Sequence, residues 1–404
     1  MGWWEHTLLD SLKTEFKVMH FRDFLSQLPE QVAMKILHYL SPLDLLRASQ
    51  VNKHWHALCS RNDVWFIKYK EAEFAIPKTH TVTDWKNAYR SKYCATLNWK
   101  KGKCKPLQLL GHGAMVTCLA IQEELLASGS RDKTIQIWNL PSGLHVKTLE
   151  GHRKGVWGLQ FFTDNLLVSA SYDTTIKIWN VRLGDCARTL YGHDGPVWSI
   201  ALKEYVLVSG SQDKLVKVWD VRRCHLLHTM KGHTQAVFAV DVDSTIKQAF
   251  SGSADKSIRI WDLDTGTCLR ALCPTPLTSV SSCAITSISF DGGYLACSAG
   301  NIVWLYSVTT AKCLQWFDHH KKRVESVKLK AVHQKDEVKL LMLSAGQDGK
   351  VNHWDPSDYK ESLQTLRGAS AGVTCTLCDD TRVIGASKDN SIWIWDFGIA
   401  TRTL

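Results

Sequence analysis

A chain of 404 residues with 45% apolar and 22% charged residues is long enough for a small module plus one large core, and its composition excludes a disordered polymer. The net charge of +10 is uneven: residues 1–105 carry 17 Lys and Arg against 10 Asp and Glu, leaving 32 against 29 for the remainder, too even a balance for a nucleic-acid surface. Met1–His20 contains Glu5, Asp10, Lys13 and Glu15, and no run of about 18 apolar residues occurs, so neither a signal peptide nor a membrane partner is expected.

After the N-terminal segment 1–20, residues 24–65 read as three short helices. Leu28-Pro29-Glu30 puts proline at a first helical turn, where its missing N–H costs nothing. Val32, Ala33, Ile36, Leu37 and Leu40 follow at helical spacing on one apolar side. Ser41-Pro42-Leu43-Asp44 is a second start, with Ser41 as cap and Asp44 three residues on. Val51, Trp55 and Leu58 suggest a third helical face. So short a segment struggles to bury this much apolar surface alone, and the surplus is a partner site by default.

The order and spacing of Leu28-Pro29, Ile36-Leu37, Leu40, Leu43, Leu45-Leu46, Val51, Trp55, Leu58 and Trp65 resembles the F-box motif, assigned here to residues 21–65. The resemblance implies docking onto a Skp-type adaptor, and through it onto a cullin–RING ubiquitin ligase. It makes Leu28, Pro29, Ile36, Leu37, Leu40, Leu43, Leu46, Val51 and Trp55 the adaptor-binding set. Residues 66–104 read as a helical linker: Asp63–Tyr69 and Thr83–Tyr93 are amphipathic, with Trp85, Ala88 and Tyr89 on one face, and a stiff stalk is expected. The lysines at 100, 101, 103 and 105 read as solvated linker.

From residue 105 the sequence is periodic. Gly-His recurs at Gly111-His112, Gly151-His152, Gly192-His193 and Gly232-His233, each with a valine four past the histidine. An Asp turn and an apolar-x-apolar-Trp run follow, ending at Trp138, Trp179, Trp219 and Trp261, and again at Trp354 and Trp395. A degenerate seventh copy places Gly300 in the slot of Asp255 and Tyr306 in that of Trp261. The period-two alternation between turns reads as four short antiparallel strands per copy. In motif and period residues 105–404 resemble the WD40 family, which implies an all-β seven-bladed propeller behind the small all-α module. A single blade cannot bury both faces, so the ring must close, through Pro106–Leu110 or Thr401–Leu404.

Thirteen cysteines are present. Cys186, Cys268 and Cys313 share one repeat slot and Cys118 and Cys375 another, so they are expected as small buried apolar side chains in a reducing compartment. Cys375-x-x-Cys378 lies in an expected strand with no second pair, which argues against a metal, and no cofactor is expected. His112, Ser128 and Asp132, with equivalents at 152/169/173, 193/209/213 and 233/251/255, hold the ingredients of a nucleophilic triad. Four equivalent active sites in one chain are implausible, no nucleophile elbow is present, and no catalytic residue is assigned; buried Asp–His–Ser–Trp chains are expected instead, as in similar WD40 repeats.

The resemblance also locates a binding face, at the positions just after the first-strand valine and just before the turn Asp. The first set is Thr117, Trp157, Trp198, Phe238, Glu325 and Thr374; the second is Arg131, Tyr172, Gln212, Ala254, Gln347 and Lys388. Trp157, Trp198, Phe238 and Tyr172, with Arg131 and Arg153 at their edge, are the candidate substrate-binding residues, because aromatic anchors in a charged rim dominate hot spots. Lys154, Lys321, Lys322 and Arg323 extend that rim. Only Arg131 is an arginine in these slots, which favours an extended peptide with an apolar anchor over a strict phosphate reader. Trp304 takes a slot that is polar in neighbouring copies and is read as a filler. The expectation is a non-catalytic subunit of a Skp–cullin–F-box ubiquitin ligase, in cytoplasm or nucleus, that binds a protein substrate; the alternative is a WD40 scaffold whose F-box anchors an adaptor outside any ligase.

Overall fold

The computed structural model describes residues 23–72, 74, 84–274, 283–334, 337–354, 364–379 and 381–398. The N-terminal segment 1–20 and Thr401–Leu404 lie outside them. The chain divides into two compact units at Tyr93/Cys94.

The first unit is helical: α1 (Phe24–Gln27), α2 (Glu30–Tyr39), α3 (Pro42–Ala48), α4 (Lys53–Cys59), α5 (Asn62–Glu71) and the start of α6 (Trp85–Lys101). Pro29 stands one residue ahead of α2. Ser41 caps α3 by accepting the Asp44 N–H, as its spacing foretold, and its hydroxyl, in place of the backbone N–H of a capping box, donates to the Asp44 carboxylate at 2.7 Å. Asn52 caps α4 through the Trp55 N–H at 2.9 Å. That cap corrects one expectation: Val51 lies outside α4, in the turn before it, and is 62% exposed, so it shares no buried face with Leu58. Leu25, Ala33, Met34, Leu37, Leu45, Leu58, Val64 and Trp65 form the core. Trp85 and Tyr89 on α6 pack against Phe66 and Trp65 at ring distances of 4.7 and 5.4 Å.

The second unit contains seven four-stranded antiparallel sheets. Six take their strands in chain order. The seventh combines 373–378, 382–387 and 391–396 with the first strand of the unit, Lys105–Leu110, in a register from Lys105↔Asp396 to Leu110↔Ser391. Pro106–Leu110 therefore closes the ring. The core lies between sheets: Trp179 of blade 2 packs with Ile135 and Ile137 of blade 1, and Ile392 and Ile394 of blade 7 pack with Trp138 of blade 1. Near the closure Trp99 stacks on Phe397 at 4.0 Å, and the Asn98 side chain donates to the Phe397 carbonyl. In the degenerate blade Tyr306 pairs with Leu295 as Trp261 pairs with Ala249, and Gly300 makes the turn at φ +64°. The Ala331–Glu337 insertion lengthens one hairpin, which pairs as far as Gln334↔Glu337.

The shared cysteine slot is a second correction. Cys186, Cys268 and Cys313 lie on the fourth, outermost strands and are exposed, whereas Cys118 is buried on a first strand. Repetition in one slot reports position in the blade, not burial.

Candidate functional site

Two surfaces carry the candidate residues, one in each unit. In the helical unit Leu37 is fully buried and belongs to the module's own core, so it cannot meet a partner in this conformation. Leu28, Leu40 and Trp55 are half-buried against the same core, and the Trp55 indole N–H donates to Asp23 at 2.7 Å. Ile36 is partly open and Pro29 is exposed. Leu43 at 49%, Leu46 at 37% and Val51 are exposed, as are Val32, read on the apolar side but left out of the adaptor-binding set, and Tyr39, which the sequence reading missed.

In the propeller, the first strands of all seven blades line one central cavity of about 540 Å³. Trp157, Trp198 and Phe238 lie on its wall, as their shared slot predicts. Trp198 is the hub: it meets Trp157 at 4.9 Å, Tyr172 at 5.6 Å and Phe238 at 5.8 Å, each edge to face, and its N–H donates to Gln212 at 3.0 Å. Lys154 sits 5.2 Å over the Tyr172 ring. Arg131 and Arg153 are exposed beside this group and form no ion pair among the described residues. Across the cavity Glu325 accepts from Gln347 at 2.5 Å and faces Arg323 and Lys388 at 3.6 and 3.5 Å, so those two cations are already partnered. Thr286 of the degenerate blade and Lys328 also line the cavity. The sequence reading missed Thr286 because no Gly-His announces its blade.

The repeated triads form as four buried chains. The Asp carboxylate lies 2.7–2.9 Å from His Nδ1, and His Nε2 lies 2.6–2.8 Å from the serine hydroxyl. The same hydroxyl accepts the N–H of Trp138, Trp179, Trp219 or Trp261 at 2.7–2.9 Å. A fifth copy, His320–Ser344–Asp348 with Trp354, escaped notice because His319-His320 stands where Gly-His was sought. Burial lowers the pKa of His112, His233 and His320, keeping each ring neutral, so Nδ1–H donates to Asp and the serine O–H donates to Nε2. Burial alone would raise the Asp255 carboxyl, but hydrogen bonds from Ser257, His233 and the Thr234 N–H outweigh it and hold it at about 2. Ser128, Ser169, Ser209 and Ser251 have no exposed surface and already serve a tryptophan, which leaves no approach for a substrate carbonyl. These chains lock each turn onto its strands. Among the described residues no cluster of three or more His, Cys, Asp or Glu could hold a metal, and no helix is long and apolar enough to cross a membrane.

Comparison with known proteins covers both units. The F-box-like family model matches residues 25–70, and the WD domain, G-beta repeat model matches 104–139, 143–180, 184–220, 224–262 and 360–396. The chain is 36% identical over 154 residues to F-box/WD repeat-containing protein 7 of Drosophila melanogaster, covering 34% of this chain and 12% of that protein. It is 33% identical over 162 residues to cell division control protein 4 of Candida albicans, covering 35% and 24%. It is 33% identical over 163 residues to the probable E3 ubiquitin ligase complex SCF subunit sconB of Arthroderma benhamiae, covering 31% and 25%. The matched stretches thus span a quarter or less of these three relatives. The WD40 β-propeller domain of Doa1 superposes with a TM-score of 0.62 at 22% identity, over 72% of this chain and 95% of that one, a likeness of fold. With an F-box-like module ahead of a seven-bladed propeller of WD40 repeats, the chain belongs to the F-box/WD40-repeat proteins.

Proposed function

We infer that this protein is the substrate-recognition subunit of an SCF-type E3 ubiquitin ligase, working in the cytoplasm or nucleus. Its helical unit docks a Skp-type adaptor, its propeller holds the protein to be modified, and the chemistry is supplied by other subunits, so that its own contribution to rate is proximity. The observation that carries this reading is the open apolar set Leu43, Leu46, Val51, Val32 and Tyr39 on an F-box-like module. The name that the sconB relative carries, an SCF subunit, supports it.

The test is co-purification of the full-length chain with a Skp-type adaptor and a cullin. Wild type should retain both. Leu43→Glu combined with Leu46→Glu should lose both, with thermal melting of the chain unchanged, because both side chains are already open to solvent. Retention at wild-type yield sinks the ligase reading. Adaptor binding without any cullin would point instead to a scaffold outside the ligase.

A further inference from the structure

The residue after the valine that opens each first strand, or after Ile285 in blade 5, divides the channel mouth into sectors of different chemistry. In blades 1, 5 and 7 it is Thr117, Thr286 and Thr374. Each threonine hydroxyl donates across to the next blade, to the carbonyls of Val156, Val324 (2.7 Å) and Val116 (2.6 Å). These three side chains are spent on holding neighbouring blades together. In blades 2, 3 and 4 the slot holds Trp157, Trp198 and Phe238, none of which makes that bond; the Trp198 N–H goes to Gln212 instead. Three consecutive blades have therefore exchanged a tie between blades for aromatic surface facing a cavity.

Resting on the reading of the propeller as a substrate receptor, we propose that this aromatic sector binds an unphosphorylated protein segment. One large apolar side chain enters the mouth beside Trp198, and flanking carboxylates meet the rim cations. Three rings gathered on Trp198 make an apolar wall, and the cavity is of a size that encloses a drug-sized group. Ring faces carry negative potential, so a phosphate dianion is repelled where an apolar side chain is not. On the opposite wall, away from the aromatic sector, Arg323 and Lys388 share Glu325, which partly neutralises both cations. Among the described residues the rim cations whose side chains form no ion pair are Arg131, Arg153, Lys321 and Lys322, with Lys154 over the Tyr172 ring and Lys328 on the cavity wall; of the carboxylates on the Arg131 to Asp194 turns, Asp132 and Asp173 are held by His112 and His152, and Asp194 is exposed. Charge complementarity thus places acidic residues beside the anchor, at the edge of the site, where they steer association more than they hold the complex.

The probe is a displayed library of unmodified peptides, with phosphoserine and phosphothreonine copies of every selected sequence, measured against the full-length chain. Selected peptides should share an aromatic or leucine-type anchor next to Asp or Glu. Anchor→Ala should weaken binding about 30-fold, as expected for a hot-spot contact. Trp198→Thr should do the same while melting stays at the wild-type temperature, because threonine is the native solution in three other blades and supplies the missing tie. Arg153→Glu with Lys154→Glu should slow association several-fold at low salt and little at high salt. Selection of none, consistently tighter binding of the phosphorylated copies, or wild-type affinity in Trp198→Thr overturns the proposal. Adaptor co-purification on the same preparation separates the two readings: peptide binding without adaptor binding defeats the ligase assignment and leaves this one standing.

Discussion

Blades 1–4 and 6 secure the turn with a polar chain, whereas blades 5 and 7 lack it and place a tryptophan two residues before the usual slot, Trp304 before Tyr306 and Trp393 before Trp395. Ser128 faces Gln136 across the strands of blade 1; at the same register Cys297 faces Trp304 in blade 5 and Gly385 faces Trp393 in blade 7. Blade 7 also has Gly368-Ala369 where blades 1–4 have Gly-His, yet Gly368 keeps φ +158°, close to the +155° of Gly192. Trp395, deprived of its serine, sends its N–H to the Arg367 carbonyl at 3.1 Å. Trp304 is 5% exposed, lies 6.4 Å from Trp316, and its N–H meets no partner among the described residues. One fold position thus accepts either a satisfied hydrogen-bond network or an apolar ring, and a function in catalysis would tolerate no such exchange.

The largest effect should come from removing the substitute ring. Trp304→Ala should cost about 3–5 kcal/mol in urea unfolding of the propeller, the usual toll for emptying a buried aromatic site, and should match Trp179→Ala in blade 2. A loss below about 1 kcal/mol would mean Trp304 fills nothing and the two kinds of blade are not equivalent.

Dismantling one polar chain should be milder and graded. Asp213→Ala strips His193 of its carboxylate and should cost about 2–3 kcal/mol; Ser209→Ala should cost about 1–2 kcal/mol. Peptide and adaptor binding should survive both. Covalent labelling of Ser209 by a serine-directed probe would break the structural interpretation.

Acid should act most on the locked blades, while Asp389 of blade 7, whose burial is outweighed by hydrogen bonds from Ser370, Ser391 and Ser387 that hold it at about 2, responds only below pH 4. The lowered His112, His233 and His320 make the unfolded chain bind protons first, so their contribution is whole above the ordinary histidine value of 6.5 and is lost as pH falls through it toward the folded values. Asp132, Asp173, Asp213 and Asp255 are depressed, so theirs is whole above 3.8 and is lost below it. Both run the same way, and the melting midpoint should fall between about pH 7.5 and 5 and again below pH 4. A midpoint that rises on acidification contradicts the neutral histidines.

Much of this was legible beforehand because repetition exposes function. Six copies in register fixed the strand pattern, and the shared slot of Trp157, Trp198 and Phe238 placed them together before any contact was known. What stayed hidden depended on neighbours far along the chain. The Thr117, Thr286 and Thr374 ties reach into the next blade, from Thr374 back to Val116, and the Trp304 and Trp393 substitutions make sense only beside what their own blades lack. In the helical unit, spacing alone could not separate Leu37, which is core, from Leu43, which is open, because both lie on the apolar side of short helices.

The finest test exchanges one atom. Cys297 occupies in blade 5 the slot that serine holds in blades 1–4 and 6, and it is fully buried with its thiol pushed to a high pKa by burial. In a locked blade a hydroxyl there accepts from tryptophan and donates to histidine; in blade 5 the tryptophan position is Tyr306 and the turn aspartate is Gly300. Cys297→Ser therefore restores the consensus residue without its partners, and should lower stability by about 1 kcal/mol because a desolvated hydroxyl is left under-satisfied. Cys313→Ser, on the exposed outer strand of the same blade, should change stability by less than about 0.5 kcal/mol. If Cys297→Ser stabilises the propeller instead, blade 5 retains a hidden polar partner, and its apolar character is the wrong half of the comparison.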